Sequence, residues 1–127
     1  MAYRHEVKLC STIHEIQRHI DIELKEFNRY IKDEELIFDL RLVLSELFIN
    51  ACEHGNQWNE EKCINYEIEI DEKQVKLVVI DEGKGVSKIK PYDGKSLDSC
   101  GRGLKIVKEL TDELELKNNM VTAVIYL

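Results

Sequence analysis

Residues 63–71, CINYEIEID, alternate apolar and polar side chains, and residues 74–81, QVKLVVID, do so again after a short turn. Period-two alternation describes a strand with one dry face and one wet face. Two such strands joined by a short turn form an antiparallel hairpin. A hairpin is at best marginally stable alone in water. The rest of the chain must therefore add strands beside it and helices over its dry face.

Two upstream segments can supply that cover. STIHEIQRHIDIELKEF, residues 11–27, carries Ile13, Ile16, Ile20 and Leu24 at helical spacing, with Thr12 and Glu15 in capping-box positions. KDEELIFDLRLVLSELFINACEHG, residues 32–55, has Asp33 as N-cap, acids in its first turn, and Gly55 as its stop. Leu36, Leu40, Val43, Leu44, Leu47 and Ala51 form its core stripe. HEVKLC, residues 5–10, reads as a first strand, and QWNEEK as a loop. LKIVKELTDEL reads as a third helix, with Leu104, Val107 and Leu110 on one face. LELK and MVTAVIYL flank Asn118-Asn119, residues suited to a two-residue hairpin turn. Residues 82–103 hold five of the six glycines and the only proline. A loop this long inside a small domain usually carries function. The expected fold is α+β: a two-layer α/β sandwich whose mixed, mostly antiparallel sheet has helices on one face, in one domain over residues 1–127.

With 43% apolar and 34% charged residues in 127, the chain has the balance of a globular protein rather than a disordered one. Its longest apolar runs, such as Leu77 to Ile80, are far too short to span a bilayer. MAYRHEVKLC places charges where a signal peptide needs apolar residues, so a cytoplasmic location is expected. The net charge is −7, from 25 acidic and 18 basic residues. No basic patch stands out, which argues against nucleic acid and favours a basic protein partner. Cys10, Cys52, Cys63 and Cys100 are scattered without a C-x-x-C pair, and reduced thiols are expected. Cys52, His54 and Cys63 are the one combination with any metal-ligand character.

LSELFINACEHGN, residues 44–56, sets Glu46 and Asn50 in an apolar run. Four residues along a helix rise about 6 Å and return to nearly the same face, so the two lie together at the edge of the buried stripe. Glu53 or His54 would extend that face by a turn. VVIDEGKG ends a buried-looking strand in Asp81, followed by Gly83 and Gly85. A strand-end carboxylate can accept a hydrogen bond from an exocyclic amine, and bare glycine backbone lets a planar ring approach. CGRGL places Gly101, Arg102 and Gly103 where a helix begins; helix N-terminal N–H groups suit phosphate, and Arg102 could add charge. Gly94-Lys95-Ser96 is no P-loop tail, because Ile89 stands where the motif needs glycine. Neither glycine pair completes G-x-G-x-x-G, since Lys88 and Ile106 occupy the third glycine positions.

In order and spacing, E-x-x-x-N, D-x-G-x-G and G-x-G-L resemble the GHKL ATPases, the superfamily that includes gyrase and the histidine kinases. SELFINACEHG with DEGKG and GRGLKIVKEL looks most like the bacterial anti-sigma-factor serine/threonine kinases, and the resemblance covers nearly the whole chain. It implies a Bergerat-type ATP-binding fold with ATP and Mg²⁺ as cofactors. Asn50 would ligate the Mg²⁺ that bridges the phosphates, and Glu46 would be the general base. Asp81 would bond the adenine amino group, with Gly83 and Gly85 shaping that wall. Gly101, Arg102 and Gly103 would lie on the phosphate side, and Thr122 near the adenine. The family often has glycine before that threonine, where this chain has Val121. The implied partners are a sigma factor and an anti-anti-sigma (STAS-type) protein, with dimerisation a family expectation. Two other readings compete: a nucleotide-dependent binding module with little phosphotransfer, and the ATP-binding domain of a histidine kinase-like system. HEIQR at His14 echoes a phosphoacceptor box, but one short helix separates it from the Asn50 helix, so His14 is read as an ordinary helix residue.

Overall fold

The computed structural model describes residues 2–83 and 99–127, with the side chains of residues 99–102 left aside. Gly85 and most of the expected long loop, residues 84–98, lie outside the described residues. Strand β1 (Tyr3–Cys10) leads into α1 (Ile13–Tyr30) and α2 (Glu34–Asn50), which runs on into a π-helical turn (Ala51–Gly55). Strands β2 (Cys63–Ile70) and β3 (Gln74–Ile80) follow, then α3 (Ser99–Leu110), β4 (Glu113–Lys117) and β5 (Met120–Tyr126). The sheet order is β1-β2-β3-β5-β4. All four pairings among the described strands are antiparallel, the limiting case of the mostly antiparallel sheet expected.

Alternation orients the sheet. Ile64, Tyr66, Ile68 and Ile70 of β2 are buried, as are Val75, Leu77 and Val79 of β3 and Val121, Ala123 and Ile125 of β5. They form one core with Ile16, Ile20 and Phe27 of α1, with Leu40, Val43, Leu44, Leu47 and Phe48 of α2, and with Val107 of α3. The intervening residues of the strands face the side away from this core. The structure is therefore the two-layer α+β sandwich expected.

The helices differ from the sequence reading in phase and bounds. Thr12 caps α1 by accepting the Glu15 N–H at 3.2 Å. The buried stripe is Ile16, His19, Ile20, Glu23 and Phe27, whereas Ile13 in the first turn is exposed. Asp33 caps α2, accepting the N–H groups of Glu35 at 3.0 Å and Leu36 at 3.3 Å. That helix does not run regularly to Gly55: after Asn50 it widens into the π turn, whose Asn56 N–H donates to the Ala51 carbonyl at 2.9 Å. Helix α3 begins at Ser99, ahead of the glycine pair, and stops at Leu110. The Thr111 hydroxyl then donates to the Val107 carbonyl at 2.7 Å, and the Asp112 N–H enters the sheet at Val124.

Candidate active site

Five of the sequence-predicted residues lie on neighbouring elements: Glu46 and Asn50 on α2, Asp81 and Gly83 just after β3, and Gly103 in the first turns of α3. Glu46 and Asn50 lie on the last turns of α2, Glu46 half-buried and Asn50 buried. Among the described residues, neither side chain makes a hydrogen bond, and a polar pair left open at the edge of a core helix is available to a ligand. Asp81 follows the last residue of the central strand, and its side chain is only 9% exposed. Burial pushes its carboxyl above the usual range, against the pull of the Gly83 N–H that donates to Oδ1 at 2.7 Å.

Three glycines make close approach possible, by lack of bulk rather than by left-handed backbone. A β-carbon on Gly55 would stand 2.2 Å from the Asp81 carboxyl carbon, and one on Gly83 would stand 2.2 Å from the Gly55 carbonyl oxygen. One on Gly103 would stand 2.7 Å from Glu46 Oε2. Each carboxylate of interest is therefore faced by bare backbone, Asp81 by Gly55 and Glu46 by Gly103. Gly55, read from sequence as a helix stop, is part of the Asp81 wall. Gly55 is the last residue of the π turn, and its backbone lies against Asp81. Glu53 and His54 face each other, with His54 Nε2 3.8 Å from Glu53 Oε2. Wide turns of this kind concentrate at functional sites.

The start of α3 at Ser99 changes the role available to each glycine there. The first N–H groups of a helix lack intrahelical partners, here including those of Ser99, Cys100 and Gly101. Gly101 can therefore offer an N–H to an anion, whereas the Arg102 N–H opens the helical ladder. Gly103 falls within the ladder and contributes its closeness to Glu46 instead.

The structure does not bring Thr122 to this group. Its neighbours Val121 and Ala123 point into the core, so Thr122 faces the opposite side of the sheet, paired with Val78 and Glu115. Nor are Cys52, His54 and Cys63 assembled as ligands: among the described residues no three His, Cys, Asp or Glu side chains are grouped to hold a metal. Cys52 is fully buried, and burial pushes its thiol up to about 11.

The residue that sequence reasoning missed is Asn56, which is 0% exposed. Its Nδ2 donates to Ser11 Oγ at 2.8 Å and to the Cys63 carbonyl at 2.9 Å, and its Oδ1 accepts the Glu82 N–H at 2.7 Å. Ser11 Oγ donates in turn to the Lys62 carbonyl at 2.7 Å. One side chain thus ties the π turn to the β1–α1 corner, the start of β2 and the residue after Asp81. A signal was present, since an asparagine directly after a helix-ending glycine is a candidate for local backbone bonding. On its other side Asp81 is held by Asn119, whose carbonyl accepts the Asp81 N–H at 3.0 Å and whose Nδ2 donates to the Asp81 carbonyl.

The chain is 31% identical over 86 residues to an anti-sigma F factor of Clostridium beijerinckii, an alignment covering 63% of this chain and 60% of that protein. It is 30% identical over 95 residues to an anti-sigma F factor of Bacillus cytotoxicus, covering 67% of this chain and 62% of that protein. The matches thus span about three fifths of the length of these relatives. The family described as "Histidine kinase-like ATPase domain" matches residues 5–126, and the chain belongs to that family.

Proposed function

We propose that the protein is an ATP-dependent anti-sigma protein with serine/threonine kinase activity. It would sequester a sigma factor and phosphorylate a hydroxyl on an anti-anti-sigma protein of the STAS type. The observation that carries this reading is the pairing of each functional carboxylate with a glycine: Asp81 with Gly55, Glu46 with Gly103. The bare backbone of Gly55 lets the Asp81 carboxylate seat directly against it, which fixes an acceptor for an exocyclic N–H. The bare backbone of Gly103 lets the start of α3 close up to Glu46, which sets a proton acceptor beside helix N-terminal N–H groups suited to phosphate. The relatives' name, anti-sigma F factor, supports a sigma factor as one of the partners.

The residues fit the cofactors. Asp81 is an acceptor held on the end of the central strand, suited to the adenine amino group. Asn50 offers an amide oxygen, and Mg²⁺ commonly takes only one or two protein oxygens with the remainder from phosphates and water. When bound, that ion neutralises charge on the phosphates. Glu46 accepts the proton of the attacking hydroxyl. The open N–H groups at the start of α3, Gly101 among them, would serve the phosphates, and the charge of Arg102 would add to them. Phosphoryl transfer needs mainly such positioning and charge neutralisation.

Glu46→Gln tests the reading, because it keeps size and hydrogen bonding but takes no proton. Calorimetry should give nucleotide affinity close to the parent's. Labelling of a cognate anti-anti-sigma protein from radioactive ATP should fall on the order of 10²–10⁴-fold, the usual contribution of a placed general base. If the parent binds ATP tightly yet labels no partner, and Glu46→Gln is indistinguishable from it, the protein is a nucleotide-dependent clamp and not a kinase.

A further inference from the structure

We propose that Cys10 and Cys63 form a redox site: a dithiol pair across the β1–β2 ladder that is converted reversibly to a disulfide by a small-molecule disulfide. The two are direct cross-strand partners at the end of the ladder. Both belong to the face away from the helices, because Leu9 and Ile64 beside them point into the core. Both are free thiols, Cys10 exposed and Cys63 half-buried.

The pairing is of the closer kind. The Cys63 N–H donates to the Glu82 carboxylate, and the Cys63 carbonyl accepts the Asn56 amide at 2.9 Å. The residue therefore turns its backbone groups away from β1, which makes Cys10–Cys63 a non-hydrogen-bonded pair. Opposed Cα atoms in such a pair stand about 4.5 Å apart, with side chains closer than in the alternate pairing. Disulfides span Cα separations of roughly 4.4–6.8 Å. A bridge therefore needs side-chain rotation and no strand slippage. The other cysteine with a described side chain cannot compete, since Cys52 is sealed in the core with its thiol pushed up to about 11.

The exchange balances without any group from the protein beyond the two thiols. The exposed Cys10 thiolate attacks one sulfur of the disulfide RSSR, forming Cys10–S–S–R and releasing RS⁻. The Cys63 thiolate then attacks the Cys10 sulfur, the Cys10–SR bond breaks, and a second RS⁻ leaves. The two protons lost by the cysteines are taken up by the two RS⁻, so two thiols are oxidised and RSSR is reduced to two RSH. The bridge would clip β1 to β2 beside Ser11, Lys62, Asn56 and Glu82, the cluster that fixes the turn after Asp81.

The full chain, incubated with oxidised glutathione, quenched by alkylation and digested with trypsin, gives the test. Each cysteine falls in its own tryptic peptide, Cys10 in residues 9–18 and Cys63 in residues 63–73. The expected dominant product is these two peptides joined, with the protein lighter by two hydrogen atoms and the link lost on reduction. Cys10→Ser and Cys63→Ser should each carry glutathione on the remaining partner and form no internal bridge. A Cys52→Ser/Cys100→Ser double variant should bridge as the parent does. A bridge running through Cys52 or Cys100, or two glutathione adducts with no internal bridge, would overturn the proposal. No nucleotide enters the test, so a failed nucleotide site would leave the bridge standing.

Discussion

At Gly103 the effect of one missing methyl separates stability from chemistry. A β-carbon there would meet Glu46 Oε2 at 2.7 Å, the far end of a flexible side chain that can swing aside. Replacing glycine by alanine inside a helix stabilises by up to about 1 kcal/mol. Gly103→Ala should therefore melt no lower than the parent, while phosphotransfer drops because the carboxylate is displaced. Thermal melting alongside partner labelling checks this, and equal labelling by both proteins would show that Glu46 does not work from its observed position. Gly83→Ala is the contrast, since its β-carbon would meet the Gly55 backbone at 2.2 Å. Backbone cannot swing aside.

Asp81 is tuned by the same closeness. Burial raises its pKa, and a raised acid contributes stability that is fully present below its unfolded value, about 4, and is lost as pH rises through the folded value. Binding runs the other way, because the amine-accepting form is the carboxylate. Adenine nucleotide affinity should therefore fall on acidification at a pH above that of an ordinary aspartate. Asp81→Asn should weaken binding by about 1.5–3 kcal/mol, the loss of one hydrogen bond to a charged group, and remove that pH dependence. Calorimetry across a pH series reads both, and an affinity that does not change with pH in the parent would remove Asp81 from the adenine.

Among the elements, the π turn and the loop after it form the most demanding local structure. Gln57 and Trp58 both adopt positive φ, 54° and 55°, a region costing roughly 1–2 kcal/mol per ordinary residue. Asn56 offsets that cost with its buried bonds, and the Trp58 N–H returns to the Cys52 carbonyl at 2.7 Å. Asn56→Ala leaves a buried hydroxyl, a carbonyl and an N–H without this partner. At about 1–3 kcal/mol for each buried group left unsatisfied, a total loss on the order of 3–5 kcal/mol is expected in chemical denaturation. Nucleotide affinity should fall as well, because the Glu82 N–H anchors the residue beside Asp81. A variant with parent stability would mean that the asparagine cluster holds nothing together.

Across the whole molecule, a second polar cluster lies under α1, apart from the site. Glu23 is 0% exposed and accepts from the hydroxyls of Tyr3 at 2.9 Å and Tyr66 at 2.5 Å; His5 Nδ1 lies 2.6 Å from its Oε2. Burial and the carboxylate together push both tyrosines well above their ordinary range. The single Tyr66 proton is used on Glu23, so His19 Nδ1, 3.1 Å from that oxygen, carries the donor hydrogen. Burial holds the His19 pKa below its ordinary value, with Arg18 adding to the effect. The cluster joins β1, α1 and β2, so it fixes how the first helix sits on the sheet. Glu23→Ala should cost about 3–5 kcal/mol, the range for removing one partner of a buried charged cluster. Equilibrium unfolding checks this, and a loss near zero would mean the carboxylate is dispensable.

The sequence by itself determined what depends on neighbours within a few residues. The strand alternation, the caps at Thr12 and Asp33, the Asn118-Asn119 turn and the facing of Glu46 with Asn50 all follow from local periodicity and backbone chemistry. Local rules did not settle where a helix yields to other forces. The glycines at 101 and 103 read as loop, yet α3 begins before them and Gly103 lies against Glu46. Residues 51–55 read as ordinary helix, yet the chain widens there and Gly55 faces Asp81. A polar stripe on α1 holds Glu23 in the core because Tyr3 and His5 of β1 and Tyr66 of β2 converge on its carboxylate. Thr122 matched a motif by spacing but faces the wrong side of the sheet, because strand register assigns alternate residues to opposite faces. In each case the deciding contact joins residues distant in sequence, and only tertiary packing brings them within hydrogen-bond or van der Waals reach.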